Sequence, residues 1–140
     1  MTTALSERPA TLPSLITFNS PIPGFPADRE FDVTALDANG VLYALRSRQT
    51  PGLRFVVAAP GRFFPEYRPS LMPADVAALG VVDGDEVLVL VIVTVTDSIT
   101  DATANLLAPI VIAAQAATAV QVVLPDVDLP LRAPLLAPAS

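Results

Sequence analysis

Val87-Leu88-Val89-Leu90-Val91-Ile92-Val93-Thr94-Val95 is an almost unbroken apolar run rich in β-branched residues. Wound as a helix, a run of this length would reach only ~14 Å, well short of the ~30 Å of hydrocarbon that a membrane span must cross. It reads instead as a strand, with Asp85 and Glu86 before it and Asp97 after it marking the ends. Apolar side chains fall on both faces of its pleat, so neither face can look onto water over much of its length. A helix, a loop, the curl of the sheet or a partner must cover the second face.

Working outward, the acidic link at 97–101 leads into a second apolar stretch, residues 102–112, and a small-residue linker at 113–117 leads into a third, residues 118–124. These read as consecutive strands of one sheet. Upstream, residues 30–36 alternate polar and apolar, and Asn39-Gly40 separates them from Val41-Leu42-Tyr43-Ala44-Leu45. Asn and Gly tolerate the positive φ of a type I′ turn, which predicts a hairpin there. Residues 14–18 and 53–58 are further strands, and the proline-rich stretch 19–26 is a looping connection, because proline cannot donate to a ladder. Residues 73–80 predict the one clear helix: Pro73 suits the first helical position, Asp75 the positive end of the first turn and Gly80 the left-handed stop. Residues 125–135 are apolar but proline-broken and predict an extended edge segment over the core. The fold class is therefore all-β.

Composition limits the chemistry. At 140 residues the chain is one domain, able to bury roughly two-thirds of the surface it exposes when unfolded. Fifteen prolines, about twice the usual share, argue for many strand ends and turns rather than long helices. The chain has no Cys, His or Lys. That removes disulfides, thiolate metal sites, Ser-His and Cys-His nucleophile pairs, Schiff-base chemistry and a Walker-type phosphate loop. No enzymatic activity and no cofactor are expected. The Asp83, Asp85, Glu86 group lacks the alternating oxygen ligands of a calcium loop and reads as a turn with solvated charges.

The net charge of −6 is unevenly spread: residues 1–68 hold seven arginines against six acids, whereas residues 69–131 hold eight acids and no cation. Such a field repels nucleic acid and attracts basic proteins. The same acids also serve to keep a very apolar chain soluble. Aromatics interleaved with arginine at 60–69 could stack on bases, but the prolines and Glu66 favour an aromatic-anchored loop. Residues 1–13 read as a flexible lead-in without a targeting signal, 14–136 as the domain and 137–140 as a disordered tail. Cytoplasmic location is the default expectation.

Pro-Gly-Phe at 23–25, Phe-Phe-Pro-x-Tyr-x-Pro at 63–69, Thr-Ala-Asn-Leu-Leu-Ala-Pro-Ile-Val-Ile at 103–112, Gln-Val-Val-Leu at 121–124 and Pro-Leu-Arg-x-Pro-Leu at 130–135 together resemble the flagellar assembly factor FliW family. The resemblance covers residues 15–136 and departs from the pattern at Ala113, where the family usually has Asn. It implies a small antiparallel β-barrel-like domain of the bacterial cytoplasm. It further implies that the protein binds flagellin as a chaperone and binds the translational repressor CsrA, freeing flagellin messenger. No direct contact with nucleic acid or membrane is implied, and a monomer is expected. The motif residues Phe64, Pro65, Tyr67, Asn105, Leu106, Pro109 and Arg132 are structural or binding positions. An Asn in an apolar strand more often satisfies backbone at a bulge than meets a partner. The acids Asp83, Asp85, Glu86, Asp97 and Asp101 would face a basic partner, and Leu129 and Leu131 would offer an apolar rim to flagellin.

Overall fold

The computed structural model describes residues 12–37, 41–64, 67, 73–80, 86–95, 101–124 and 129–134. Among them nine strands follow in order: β1 (Leu15–Phe18), β2 (Glu30–Ala35), β3 (Leu42–Ser47), β4 (Arg54–Ala58), β5 (Val87–Thr94), β6 (Thr103–Ala104), β7 (Ile110–Ala113), β8 (Thr118–Gln121) and β9 (Ala133–Pro134). A 3-10 turn at Pro60–Arg62 and helix α1 (Pro73–Leu79) lie between β4 and β5. No helix among the described residues is long and apolar enough to cross a membrane.

The sheet runs β4-β3-β2-β1-β8-β7-β5, and a further β4–β5 pairing closes it into a seven-stranded barrel, with β6 and β9 continuing outward from one end of β5. Closure removes the free edges that an open sheet would leave for other chains. A barrel this small is filled by its own side chains. One buried cluster contains Ile16, Phe18, Phe31, Tyr43, Leu45, Val57, Leu90, Ile110, Ile112 and Ala119. All seven barrel strands contribute to it, so it is the interior. Phe31 meets Phe18 edge-on at 5.4 Å and Phe55 at 5.9 Å, and Phe25 meets Phe55 at 5.2 Å. Gly24, at φ +92°, turns the chain so that Phe25 and Ile22 plug this end of the barrel. Leu12, inside the expected lead-in, also packs against the interior.

The second face of β5 is covered from within the chain. Its residues 88, 90 and 92 face the interior, while Val91 and Val93 face a second cluster with Ala58, Ala104 and Leu106, against which Phe63, Phe64, Tyr67 and Leu129 pack. Val87 joins a third cluster with Leu79 of α1, Val111, Val120, Val122 and Leu124. Helix α1 is held at its C-terminal end, where Asn19 Nδ2 donates to the carbonyls of Ala78 (2.8 Å) and Leu79 (3.2 Å) and Thr118 Oγ1 donates to Leu79. Gly80 stops it at φ +70°.

Three features differ from the sequence reading. The expected single strand at 102–112 is split into β6 and β7, which pair in succession with the same edge of β5. The expected strand at 118–124 ends at Gln121, although Val122 and Leu124 still donate to the carbonyls of Pro109 (3.0 Å) and Leu107 (2.8 Å). Pro109 has no N–H to return, so the ladder cannot continue symmetrically. The junction of β1 with β8 is parallel, Thr17 opposite Thr118, in a barrel whose other pairings are antiparallel. The β2–β3 hairpin forms, with Asp37 Oδ1 accepting from Val41 N (3.0 Å) and Leu42 N (3.1 Å). The Asn39-Gly40 turn itself lies outside the described residues, as do the Asp83 to Asp85 turn and the expected tail at 137–140.

Among the described residues Ala117, in the β7–β8 turn, alone combines positive φ (58°) with a side chain. Left-handed backbone costs a residue with a Cβ about 1–2 kcal/mol, partly offset on replacement by the extra freedom glycine has when unfolded. Ala117→Gly is expected to stabilise the fold by about 0.5 kcal/mol and Ala117→Val to destabilise it, read as opposite shifts of the urea midpoint at constant slope.

Candidate functional site

Between the pairs Val93↔Ala104 and Leu90↔Ile110, residues 105–109 stand opposite only residues 91 and 92 of β5. This is a wide bulge, and the sequence explains it. Asn105 keeps its backbone in the ladder, donating from N to the Ile92 carbonyl at 2.9 Å. Its side-chain Oδ1 then accepts from Leu107 N (3.1 Å) and Ala108 N (3.0 Å), taking two donors that a regular strand would send to its neighbours, one on each side. Pro109 brings no donor at all and is fully buried.

The bulge is a meeting point for distant segments. Tyr67 donates its phenol to the Leu106 carbonyl at 2.6 Å, fastening the aromatic loop. Leu106 N donates to the Pro130 carbonyl at 3.0 Å, fastening the C-terminal segment, whose β9 pairs with β6. Gln121 Nε2 donates to the Ala108 carbonyl at 3.0 Å. Four of the five stretches that carry the family resemblance, those at 63–69, 103–112, 121–124 and 130–135, thus converge on one junction. The fifth, Pro23-Gly24-Phe25, plugs the barrel elsewhere.

Within the junction most motif side chains are spent internally. Leu106 and Pro109 are buried, and Phe64 and Tyr67 are half-buried against the outer cluster. Asn105 serves the bulge, as its residue type suggested. Leu129 is half-buried between the two outer clusters, whereas Leu131 is 59% exposed and Arg132 is exposed. Asp101 is exposed just before β6, and Glu86 is half-buried at the start of β5. Pro65, Asp83, Asp85 and Asp97 lie outside the described residues.

Two exposed apolar residues escaped the sequence reading. Val123 is 69% exposed beside the bulge, and Val95 is 45% exposed at the end of β5. The in-out alternation of Val122, Val123 and Leu124 was the available signal for the first. Burial pushes the Tyr67 phenol up to about 12. The Tyr43 phenol moves in the same direction, first through burial and then through the charge of Asp37.

These features define a small closed β-barrel with an outer layer sewn on through a bulge, in the all-β class. The model of the FliW protein family matches residues 1–135. The flagellar assembly factor FliW of Bdellovibrio bacteriovorus is 38% identical over 122 residues, 86% of this chain and 69% of that protein. Its namesake in Bacillus subtilis is 33% identical over 121 residues, 86% and 85% of the two chains. A crystal structure of the flagellar assembly factor FliW superposes with a TM-score of 0.80 at 31% identity, covering 89% of this chain and 86% of that one. The chain belongs to the FliW family.

Tyr67→Phe removes the bond to Leu106 while keeping the ring, and is expected to cost about 1 kcal/mol. The folded state holds the Tyr67 proton more tightly than the unfolded chain does, so the associated stability is complete below pH ~10 and falls as pH rises toward about 12. Urea titrations across pH 9–12, about the tyrosine range, should show a shallower decline in the variant than in the parent; parallel curves would remove the role assigned to this phenol.

Proposed function

We propose that this chain is a cytoplasmic flagellar assembly factor that binds flagellin as a chaperone and binds the translational repressor CsrA, so that repression of flagellin synthesis is relieved. The observation that carries the proposal is the junction itself: four of the five stretches that mark the family meet there, in a chain that belongs to that family. Because Asn105, Leu106, Pro109 and Tyr67 are occupied in building the junction, partner contacts fall to the side chains around it. Leu131 and Val123 present apolar surface of the kind an assembly-prone flagellin segment would cover. Asp101 and Glu86, with Asp83, Asp85 and Asp97 of the same cation-free stretch, supply the field that draws in a basic, RNA-gripping repressor.

A monomer suits this reading. The strand whose second apolar face had to be covered by a helix, a loop, the curl of the sheet or a partner has both faces covered by its own chain, and both of its edges carry strand pairings. With neither Cys, His nor Lys, the chain acts here by binding and not by catalysis.

Isothermal titration against the cognate flagellin and, separately, the cognate CsrA tests the proposal. Binding tighter than about 1 µM to both is expected. Binding to flagellin alone would reduce the role to chaperone, and binding to neither would end the proposal. The double variant Asp83→Arg with Glu86→Arg should weaken CsrA binding most at low salt and leave the melting temperature unchanged; an unaltered low-salt affinity would remove the electrostatic argument.

A further inference from the structure

On the outer face of β2, β3 and β4, Asp32, Arg46 and Arg54 form one row across three neighbouring strands, Asp32 opposite Arg46 and Arg46 opposite Arg54. Their chain neighbours Phe31, Leu45 and Phe55 point into the barrel, so this row points out. Asp32 makes no ion pair with Arg46. Its carboxylate is taken by Arg48, whose Nε lies 3.1 and 3.2 Å from the two oxygens and whose Nη2 lies 2.9 Å from Oδ1. Arg46 and Arg54 are left exposed and directly opposed, and neither guanidinium has a hydrogen-bond or ion-pair partner among the described residues. The β4–β5 register, continued two residues past Val56↔Val93, puts the exposed Val95 at the Arg54 end of the row.

Like charges directly opposed across a ladder destabilise a sheet. The chain has eight arginines and no lysine, and it sets two of those arginines where they repel each other although its net charge is −6. A local rule broken without a compensating contact in the folded chain is a mark of a functional position. We propose that Arg46 and Arg54 form a docking point for an acidic peptide segment of a partner protein, each guanidinium taking one carboxylate and Val95 meeting an apolar residue beside them. Planar guanidinium forks match carboxylates bidentately, and two such forks side by side select a pair of acids. A nucleic acid fits less well, because its affinity rests on many neutralised phosphates and the cation-free stretch 69–131 repels its backbone. This site is independent of the flagellin and CsrA assignments.

The test uses the full chain and a fluorescein-labelled decapeptide of alternating Glu and Leu, followed by anisotropy at about 20 mM and about 200 mM salt. Binding at low salt that weakens at high salt is expected. R46E/R54E should lose affinity about five- to thirtyfold, since each exposed pair is worth up to about a fivefold change and two act together. R46K/R54K, which keeps the charges but not the forks, should fall between. S20E alters an exposed residue elsewhere and should change affinity less than about twofold. Melting curves of R46E/R54E at or above the parent's midpoint would show that the loss is not unfolding. Four outcomes overturn the proposal: no peptide binding at low salt, equal losses in R46E and S20E, tighter binding of a ten-nucleotide single-stranded RNA than of the peptide, or self-association in light scattering that R46E/R54E abolishes.

Discussion

A strand that is apolar on both faces has to be buried twice, and in this molecule the second burial determines most of what lies outside the barrel. The interior takes residues 88, 90 and 92 of β5, as it takes alternate residues of every other barrel strand. Val87, Val91 and Val93 need a roof, and it is built from the aromatic loop, helix α1 and the C-terminal segment. Fully burying a valine- or leucine-sized side chain stabilises by ~1.5–3 kcal/mol, so a few such contacts rival the whole net stability of a domain this size. The roof is part of the fold.

Apolar contact alone does not say where a roof should sit, because hydrophobic attraction has no direction. Direction comes from the bulge at residues 105–109. By turning two backbone donors onto the Asn105 side chain and placing a donorless proline after them, the chain frees carbonyls from the ladder. The carbonyls of Leu106, Leu107 and Ala108 then accept from Tyr67, Leu124 and Gln121 in turn. A local defect in one strand becomes the fixing point for three other segments: the aromatic loop, the end of β8 with the residues after it and, through Leu106 N and the Pro130 carbonyl, the C-terminal segment. The family pattern concentrates there because each of those segments has to satisfy the same few atoms.

Much of this architecture was legible in the sequence where local physics decides it. The β5 run, the alternation through residues 30–36 and the Pro73-to-Gly80 helix all carried their own start and stop signals, and the structure places elements there. Asn105 was readable as a bulge residue from its polarity in an apolar strand. What escaped was non-local. The break between β6 and β7 is invisible to hydrophobic periodicity, which records side chains and not a missing N–H. The parallel meeting of β1 and β8 leaves no trace in either segment. Phe64, Tyr67, Asn105, Leu106 and Pro109 stood out as a pattern, yet nothing in the chain said that they serve one junction, nor that Leu129 turns inward while Leu131, two positions on, turns out.

The parallel β1–β8 seam also dictates when the molecule can finish forming. Thr17 pairs with Thr118, a separation of 118 − 17 = 101 residues, so the ring stays open until nearly the whole described chain is available. A ribosome adds roughly 5–20 residues per second, whereas a hairpin such as β2–β3 forms in about 1–10 µs. During synthesis the β2–β4 meander is therefore ready seconds before β8 emerges, with the edge of β1 unmatched and the future interior exposed. Closing so long a loop also carries an entropic penalty that only the final pairing repays. The vulnerable interval for this protein is its own birth, when an arrested or truncated chain would present the sticky edges that the finished ring conceals.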